Sequence, residues 1–336
     1  MSSWQPDVLG RGYEQHRIDL GDDPDGEGRI DATLVRRVPQ ADESPTGAVL
    51  YVHGFSDYFF QTELADFFAA RGLAFYALDL RKCGRSLQPG HTAHFVSDLA
   101  MYDQELEQAL AIVRADQGGD VVLAAHSTGG LILPLWLDRR RRASGGAVDG
   151  VAGLILNSPW FDLQGAPYMR SVGTELVKLV GRVRPTTVIK LPPGDAYGTS
   201  LAASHQGEWE FNTAWKPISG FPVTFGWLRA IRLGHARLHR GLHVGVPSLV
   251  LRSTRSHFSA AYCDAVDSAD AVLDVRQIAR WSGCLGDNTH VVPIEGARHD
   301  VFLSTEGPRK RAYEAVDAWL RHEAALSPRP QELPER

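Results

Sequence analysis

The sequence predicts an α/β fold, a mostly parallel sheet flanked by helices on both faces. Strand-like and helix-like segments alternate along most of the chain, and such alternation builds a sheet between helical layers. The strand-like runs are short and apolar throughout, as strands covered on both faces must be. One of them, Val121-Val122-Leu123-Ala124-Ala125, leads without a spacer into His126-Ser127-Thr128-Gly129-Gly130 and an apolar helical pattern.

Residues 16–38 alternate around the turn Asp22-Asp23-Pro24-Asp25-Gly26 and predict an antiparallel pair at a sheet edge. Gly47 to Val52 reads as a buried strand running into a turn at His53-Gly54. Glu63 to Arg71 carries Leu64, Phe67 and Phe68 at helical spacing and stops at Gly72. Leu73 to Asp79 is a second buried strand. Ser97 to Asp116 is an amphipathic helix, with Ser97 as N-cap and Gly118-Gly119 as its end. Pro134 lies inside the helix after Ser127 and should kink it or shift its start. Arg139 to Arg142 falls at that helix's end, where cations suit the dipole. Val151 to Leu156 is the next strand.

From Trp160 to about Gly245 the alternation stops. This stretch is rich in aromatics, among them Tyr168, Trp209 and Trp227, and is expected to form a cap over the sheet's carboxyl edge. The pattern resumes with a strand at Pro247 to Leu251, a helix at Val275 to Ser282, a strand at His290 to Ile294 and a helix at Pro308 to Leu326. The expected organisation is therefore a core of residues 1–160 and 246–326, a helical cap or lid of residues 161–245, and a disordered tail of residues 327–336.

The 336 residues are 43% hydrophobic and carry a net charge of −5, enough for a large core and with no global basic character to attract nucleic acid. No stretch approaches the apolar length of a membrane span, and the first residues lack signal-peptide features. Cys83, Cys263 and Cys284 lack metal or redox spacing and fit a reducing compartment. A cytoplasmic protein without a stable membrane anchor is expected. The absence of H-E-x-x-H, of a phosphate-binding glycine loop and of a dinucleotide fingerprint leads us to expect neither metal nor organic cofactor.

The chemistry lies around Ser127. A serine on a sharp strand-to-helix turn presents its oxygen above the sheet edge, and the next N–H, that of Thr128, faces a developing oxyanion. Small residues must flank such a turn, and here they are Ala125, Gly129 and Gly130. The serine needs a base, and the base a carboxylate. His299 follows the last strand after a short loop, on the same sheet edge as Ser127, whereas His290 would lie at the strand's other end. His126 should line the elbow; His94, His205 and His257 are not ranked by position. Asp264, Asp267, Asp270 and Asp274 follow the strand ending at Leu251, and spacing leaves Asp270 and Asp274 open as the acid. The turn at His53-Gly54-Phe55 suits the second oxyanion donor, the Phe55 N–H.

Four segments resemble motifs of the α/β-hydrolases. His53 to Tyr58 is similar to their "HG" oxyanion turn, and Asp79 to Ser86 to their "D-x-R-G-x-G-x-S" loop. Ala125 to Gly130 is similar to their "G-H-S-x-G-G" elbow, and Gly296 to Asp300 to their "G-x-x-H" turn. Order and spacing look most like the monoacylglycerol lipase / lysophospholipase branch, which includes serine aminopeptidase-like members. That branch has a "D-x-x-x-D" block, matched by Asp270 to Asp274, which implies Asp270 as the acid and Asp274 as a supporting residue. Two departures stand out: Ala125 in place of the first elbow glycine, and a long segment, Ser253 to Ala269, before the acid.

The expected function is ester hydrolysis by Ser127, Asp270 and His299, with the N–H groups of Phe55 and Thr128 as the oxyanion hole. His53, Gly54, His126 and Gly129 would line the elbow and pocket. The partner would be a small-molecule ester with an apolar acyl group, such as a monoacylglycerol or lysophospholipid. The same triad could cleave an amide if Asp195, Glu208 or Glu210 held a substrate amine. A catalytically silent binding protein on this fold is the third possibility.

Overall fold

The strands are β1 (Gln5–Pro6), β2 (Tyr13–Asp22), β3 (Arg29–Arg37), β4 (Gly47–Val52), β5 (Leu73–Asp79), β6 (Val121–His126), β7 (Val151–Asn157), β8 (Ser248–Ser253) and β9 (Thr289–Ile294). The labelled helices are α1 (Thr62–Ala69), α2 (Asp103–Gln117), α3 (Gly129–Ala143), α4 (Ala196–Leu201), α5 (Phe225–Leu238), α6 (Val275–Trp281) and α7 (Glu306–His322). They are seen in a computed structural model that describes residues 4–164, 175, 177–191 and 194–323. The strands form one nine-stranded sheet in the order β1-β2-β3-β5-β4-β6-β7-β8-β9. Strands β4 to β9 pair in parallel, while β2, β3 and β5 pair antiparallel. The predicted antiparallel pair is β2 and β3, with only the two-residue β1 outside it.

Because successive strand residues point to opposite faces, a wholly apolar strand serves two cores at once. Ala48, Leu50 and Val52 of β4 pack on one face with Leu106 of α2 and Leu131 of α3. Val49 and Tyr51 pack on the other with Leu64 and Phe68 of α1 and Val316 of α7. The chain crosses from one side of β4 to the other between β5 and β6, and open α/β sheets bind ligands at such a switch point, beyond the strands' carboxyl ends.

Several expectations change in detail. The helix foreseen from Ser97 opens instead with a 3-10 turn, Leu99–Tyr102, capped by Asp98, whose side chain accepts from the Ala100 N–H. Leu99 and Tyr102 both face the core, and a 3-10 turn aligns residues three apart. Helix α3 starts at Gly129 with no shift and runs through Pro134, with residues 129–138 all buried, so packing outweighs the missing N–H bond. The arginine run closes this helix as expected, and three of its members also form ion pairs: Arg139 with Asp103, Arg140 with Glu107 and Arg142 with Asp138. Helix α7 begins two residues before Pro308, which still sits in the first turn, where its missing N–H costs nothing. The proposed tail 327–336 and Tyr168 lie outside the described residues.

Among the described residues between β7 and β8, the chain adds no strand to the sheet. Besides α4 and α5, residues 177–183 are helical. Among the described residues no helix is long and apolar enough to cross a membrane.

The loop after β5 is fixed by buried charge. Arg81 is paired with Glu105 of α2, and Lys82, in the left-handed conformation (φ 59°), reaches Asp23 at 2.6 Å and Glu27 at 2.9 Å. Lys82 stands where the resembled motif has glycine; the two carboxylates offset the cost of burying its charge. Leaving one member of such a pair alone is costly. Glu105→Leu should lower the unfolding free energy by about 3–5 kcal/mol in urea denaturation, with much of the loss recovered in the Arg81→Leu/Glu105→Leu double variant.

Candidate active site

Ser127 is held at φ 51°, a strained conformation for a residue with a side chain, typically costing about 1–3 kcal/mol. Its backbone is clamped on both sides. The Ser127 N–H donates to Asn157 O at 2.9 Å, and Ser127 O accepts from the Trp160 N–H at 2.9 Å. The turn is tight enough that a Cβ on Gly129 would lie 2.5 Å from His53 O, and one on Gly130 2.6 Å from Pro159 Cβ. Ala125 is outside this crowding. It pairs with Val52 and Leu156 inside the sheet, and its methyl is part of the core. The elbow therefore tolerates alanine where the common pattern has glycine.

His299 Nε2 lies 3.0 Å from Ser127 Oγ, and His299 Nδ1 lies 3.0 Å from Asp270 Oδ2. A carboxylate only accepts, so Nδ1 carries the proton and Nε2 turns its lone pair toward the serine hydroxyl. Asp270 is fully buried, and its other oxygen accepts the N–H groups of Val272 and Leu273 at 2.8 and 2.7 Å. Its backbone is bridged to the chain leaving β8: the Asp270 N–H donates to Arg255 O, and the His257 N–H to Asp270 O. The long segment before the acid is thus a loop whose two ends meet, and its length does not displace Asp270. Asp274 does something else. It caps α6, accepting from the Arg276 N–H, and pairs with the Arg276 side chain. Asp267 pairs with Arg298, and Asp264 opens a 3-10 turn.

The loop that carries His299 is locked from behind. Asp300 Oδ1 accepts from Asn157 Nδ2 at 2.6 Å and from the Phe302 N–H, while the Val301 N–H donates to Asn157 Oδ1. Sequence reasoning missed both Asn157 and Asp300. Their only signal was position, one at the end of β7 and one beside His299.

The turn after β4 lies directly against Ser127: a Cβ on Gly54 would sit 3.0 Å from Ser127 Cβ. The His53 Nδ1–H donates to Gly54 O at 2.7 Å, and His53 Nε2 accepts the Leu80 N–H at 3.1 Å. Gly54 O and Phe55 N belong to one peptide plane, so fixing the carbonyl fixes the opposite direction of the Phe55 N–H. The neighbouring Ser127 and Gly130 N–H groups are bonded to backbone carbonyls. Those of Phe55 and Thr128 have no such partner among the described residues.

A second aspartate–histidine pair stands beside the first. His126 Nδ1 is 3.2 Å from Asp57 Oδ2, and the His126 ring centroid is 4.8 Å from that of His299. Asp57 Oδ1 accepts from Lys216 Nζ at 2.8 Å. Burial by itself would raise the Asp57 pKa, but the Lys216 ammonium and the His126 hydrogen bond hold it well below the usual carboxylate range. Asp57 sits four residues after His53, within reach of motif reasoning. Lys216 carried no periodic or motif signal at all.

The remaining histidines separate clearly. His94 packs 5.0 Å from the Phe55 ring, with Nδ1 3.2 Å from Cys83 Sγ, and burial holds its pKa well below the ordinary value. His205 is exposed and bonded to Ser204, and His257 lies against Cys263. His290 reaches Glu323 at 3.6 Å. The aromatics of the β7–β8 segment divide as well. Trp209, Phe211 and Trp215 pack with Tyr58, Phe60 and Leu303 in a small core of their own. The Trp227 ring packs, tilted, 4.1 Å from that of Phe55 and lies 5.7 Å from that of Trp160. Because backbone carbonyls crowd Gly129, Gly129→Ala should cost about 1–3 kcal/mol in urea denaturation.

The family model described as serine aminopeptidase, S33, matches residues 43–303. Solved structures similar to the chain include a soluble variant of monoglyceride lipase from Saccharomyces cerevisiae in complex with a substrate analog. It has a TM-score of 0.62 and 16% identity, over 96% of each chain. Monoacylglycerol lipase from Paleococcus ferrophilus has a TM-score of 0.61 and 17% identity, over 94% of this chain and 100% of that one. Est1E from Butyrivibrio proteoclasticus with ferulic acid bound has a TM-score of 0.51 and 16% identity, over 88% and 96%. At such identities the likeness establishes the fold. No curated protein matches the sequence significantly.

Proposed function

This chain belongs to the serine aminopeptidase S33 family of α/β-hydrolases, and we propose that it hydrolyses carboxylic esters through an acyl-enzyme on Ser127. The observation that carries this is the unbroken hydrogen-bonded line from Ser127 Oγ through His299 to the buried Asp270. In this scheme Ser127 Oγ attacks the ester carbonyl while His299 Nε2 takes its proton, and Asp270 steadies the imidazolium. The Phe55 and Thr128 N–H groups receive the oxyanion; each such donor typically contributes about 2.7–4 kcal/mol to the transition state. The carbonyl–oxygen bond then breaks, and His299 gives the proton to the departing alcohol. Water deprotonated by His299 attacks the acyl group, and its proton returns to Ser127 as the acid leaves.

Residues 161–245 serve as a cap in this scheme, over a core of residues 1–160 and 246–326. The aromatic cluster of Phe55, Trp227 and Trp160, packed at the Phe55 turn, supports an apolar acyl group. The similar lipase structures favour a monoacylglycerol-type substrate. An ester is favoured over a peptide N-terminus because the anions named for an amine are paired with cations or exposed to solvent. Asp57 is neutralised by Lys216 and Glu208 by Arg309, while Asp195 and Glu210 are exposed. The three unpaired cysteines support the cytoplasm as the compartment.

A fluorophosphonate probe should label Ser127 in the folded protein, and a nitrophenyl ester should be cleaved in preference to an aminoacyl-nitroanilide. Faster cleavage of the anilide would replace the ester by an amide, and a folded protein that neither labels nor hydrolyses would be a binding protein. Ser127→Ala should lower kcat by about 10⁶. Asp270→Asn should lower it by about 10⁴. Asp274→Ala should leave kcat nearly unchanged and cost about 1 kcal/mol of stability through its lost helix cap. A slow Asp274→Ala beside an active Asp270→Asn would reverse the assignment.

A further inference from the structure

The turn that carries the Phe55 N–H continues into Ser56, Asp57 and Tyr58, and each of these three residues holds the β7–β8 segment. Ser56 Oγ accepts the Phe221 N–H at 2.6 Å, and Tyr58 Oη accepts the Asn212 N–H at 2.7 Å. Between them, Asp57 Oδ1 accepts from Lys216 Nζ at 2.8 Å. Two of these bonds use backbone N–H groups of the insertion. The third is a charge pair in which both side chains are nearly inaccessible, 7% exposed for Lys216 and 1% for Asp57.

The ammonium lies 5.7 Å from the Phe60 ring and 5.8 Å from those of Tyr197 and Phe211. Tyr197 in turn packs edge-on against His299 at 5.4 Å, and its hydroxyl accepts the Asp300 N–H. One cation therefore sits behind both halves of the site. Through Asp57 it touches the oxyanion turn and His126, and through Tyr197 it adjoins the loop of the base. His126 gives its Nδ1–H to Asp57, and its other ring nitrogen, Nε2, is buried without a hydrogen-bond partner among the described residues. Among the described residues, the hydrogen bond that orients this ring beside His299 is the one to the Asp57 carboxylate.

We propose that Lys216 is a positioning residue for the hydrolysis: by holding Asp57 as a buried carboxylate, it fixes the turn that presents the Phe55 N–H and the His126 ring beside His299. The 212–221 segment is then a built-in part of the catalytic site rather than a freely opening lid. This rests on the ester-hydrolase function proposed above.

The consequence for pH follows from the groups around Asp57. Facing it are His53 and Tyr58 from its own turn, Tyr51 from β4, His94 from the loop after β5, His126 from the elbow, and Lys216 and Tyr197 from the insertion. Lys216 is the ammonium of the set. Without it, burial dominates and the Asp57 pKa rises. A protonated Asp57 would donate to His126 Nδ1 instead of accepting from it, and would reverse that ring's donor and acceptor sides. In Lys216→Met, activity should therefore be lost on acidification at a higher pH than in the wild type.

The test compares wild type, Lys216→Met, Lys216→Arg and the neutral pair Asp57→Asn/Lys216→Met, each checked for folding by circular dichroism and thermal unfolding. The readouts are nitrophenyl ester kinetics from pH 5 to 9 and the rate of fluorophosphonate labelling. Misplacement of this kind costs up to about 10²-fold in rate. Lys216→Met is expected to lose about tenfold to a hundredfold in kcat with little change in KM, to label more slowly, and to show the displaced acid limb. Lys216→Arg should regain part of kcat. The neutral pair should fold well, since removing both charges avoids a lone buried ion; it should remain slow, and without the new acid limb. Folded variants with wild-type kcat and an unmoved acid limb would overturn the proposal. If Lys216→Met fails to fold, the neutral pair decides alone: slow supports the proposal, wild-type kcat overturns it. A wild type inert to ester and probe alike removes the hydrolase function and this role together, whereas an active wild type matched by its variants removes only this role.

Discussion

The constraint on which the structure depends is the close packing of the elbow between β4 and β7. Ser127 can stay at a positive φ only because its N–H and C=O are bonded to Asn157 and Trp160, and because Gly129 and Gly130 let the helix start against His53 and Pro159. A packed backbone leaves no slack for relaxation, so the strain remains in the serine. The same approach brings Gly54 within a methyl group's reach of Ser127. Ser127 and the His53-Gly54-Phe55 turn are thus held together by tight packing as well as by side-chain hydrogen bonds.

Around that contact the polar groups form layers. His299 is oriented by Asp270, and Asp270 by two backbone N–H groups. The loop behind His299 is fixed by Asn157 and Asp300. The Phe55 peptide is oriented by His53. Each of these groups has one direction imposed on it by a buried partner, and buried partners hold direction because water does not compete for them. The insertion between β7 and β8 joins this order through three consecutive residues, Ser56, Asp57 and Tyr58. It also packs aromatic residues of its own against the rim.

Much of this was legible in the chain. The two-faced apolar strands and the Ser127 elbow required only period, length and small residues at fixed offsets, which are local properties. His299 was legible through its position after the last strand. The N-terminus of α2 was misjudged because Ser97 and Asp98 are both good caps, and the choice was made by how Leu99 and Tyr102 reach the core. Pro134 leaves the start of its helix in place, since a helix buried from residue 129 to 138 can forgo one hydrogen bond.

Sequence by itself determined the alternating fold and the strand-to-helix turn at Ser127, because each is written in neighbouring residues. Tertiary structure decided which of Asp270 and Asp274 meets His299. Both are carboxylates near a helix start, and only the bridge of Asp270 to Arg255 and His257 turns one of them toward His299. It also brought Lys216 to Asp57 across 159 residues of sequence separation. A long-range charge pair leaves no local trace, because nothing in the residues beside a lysine says which distant carboxylate folding will bury against it.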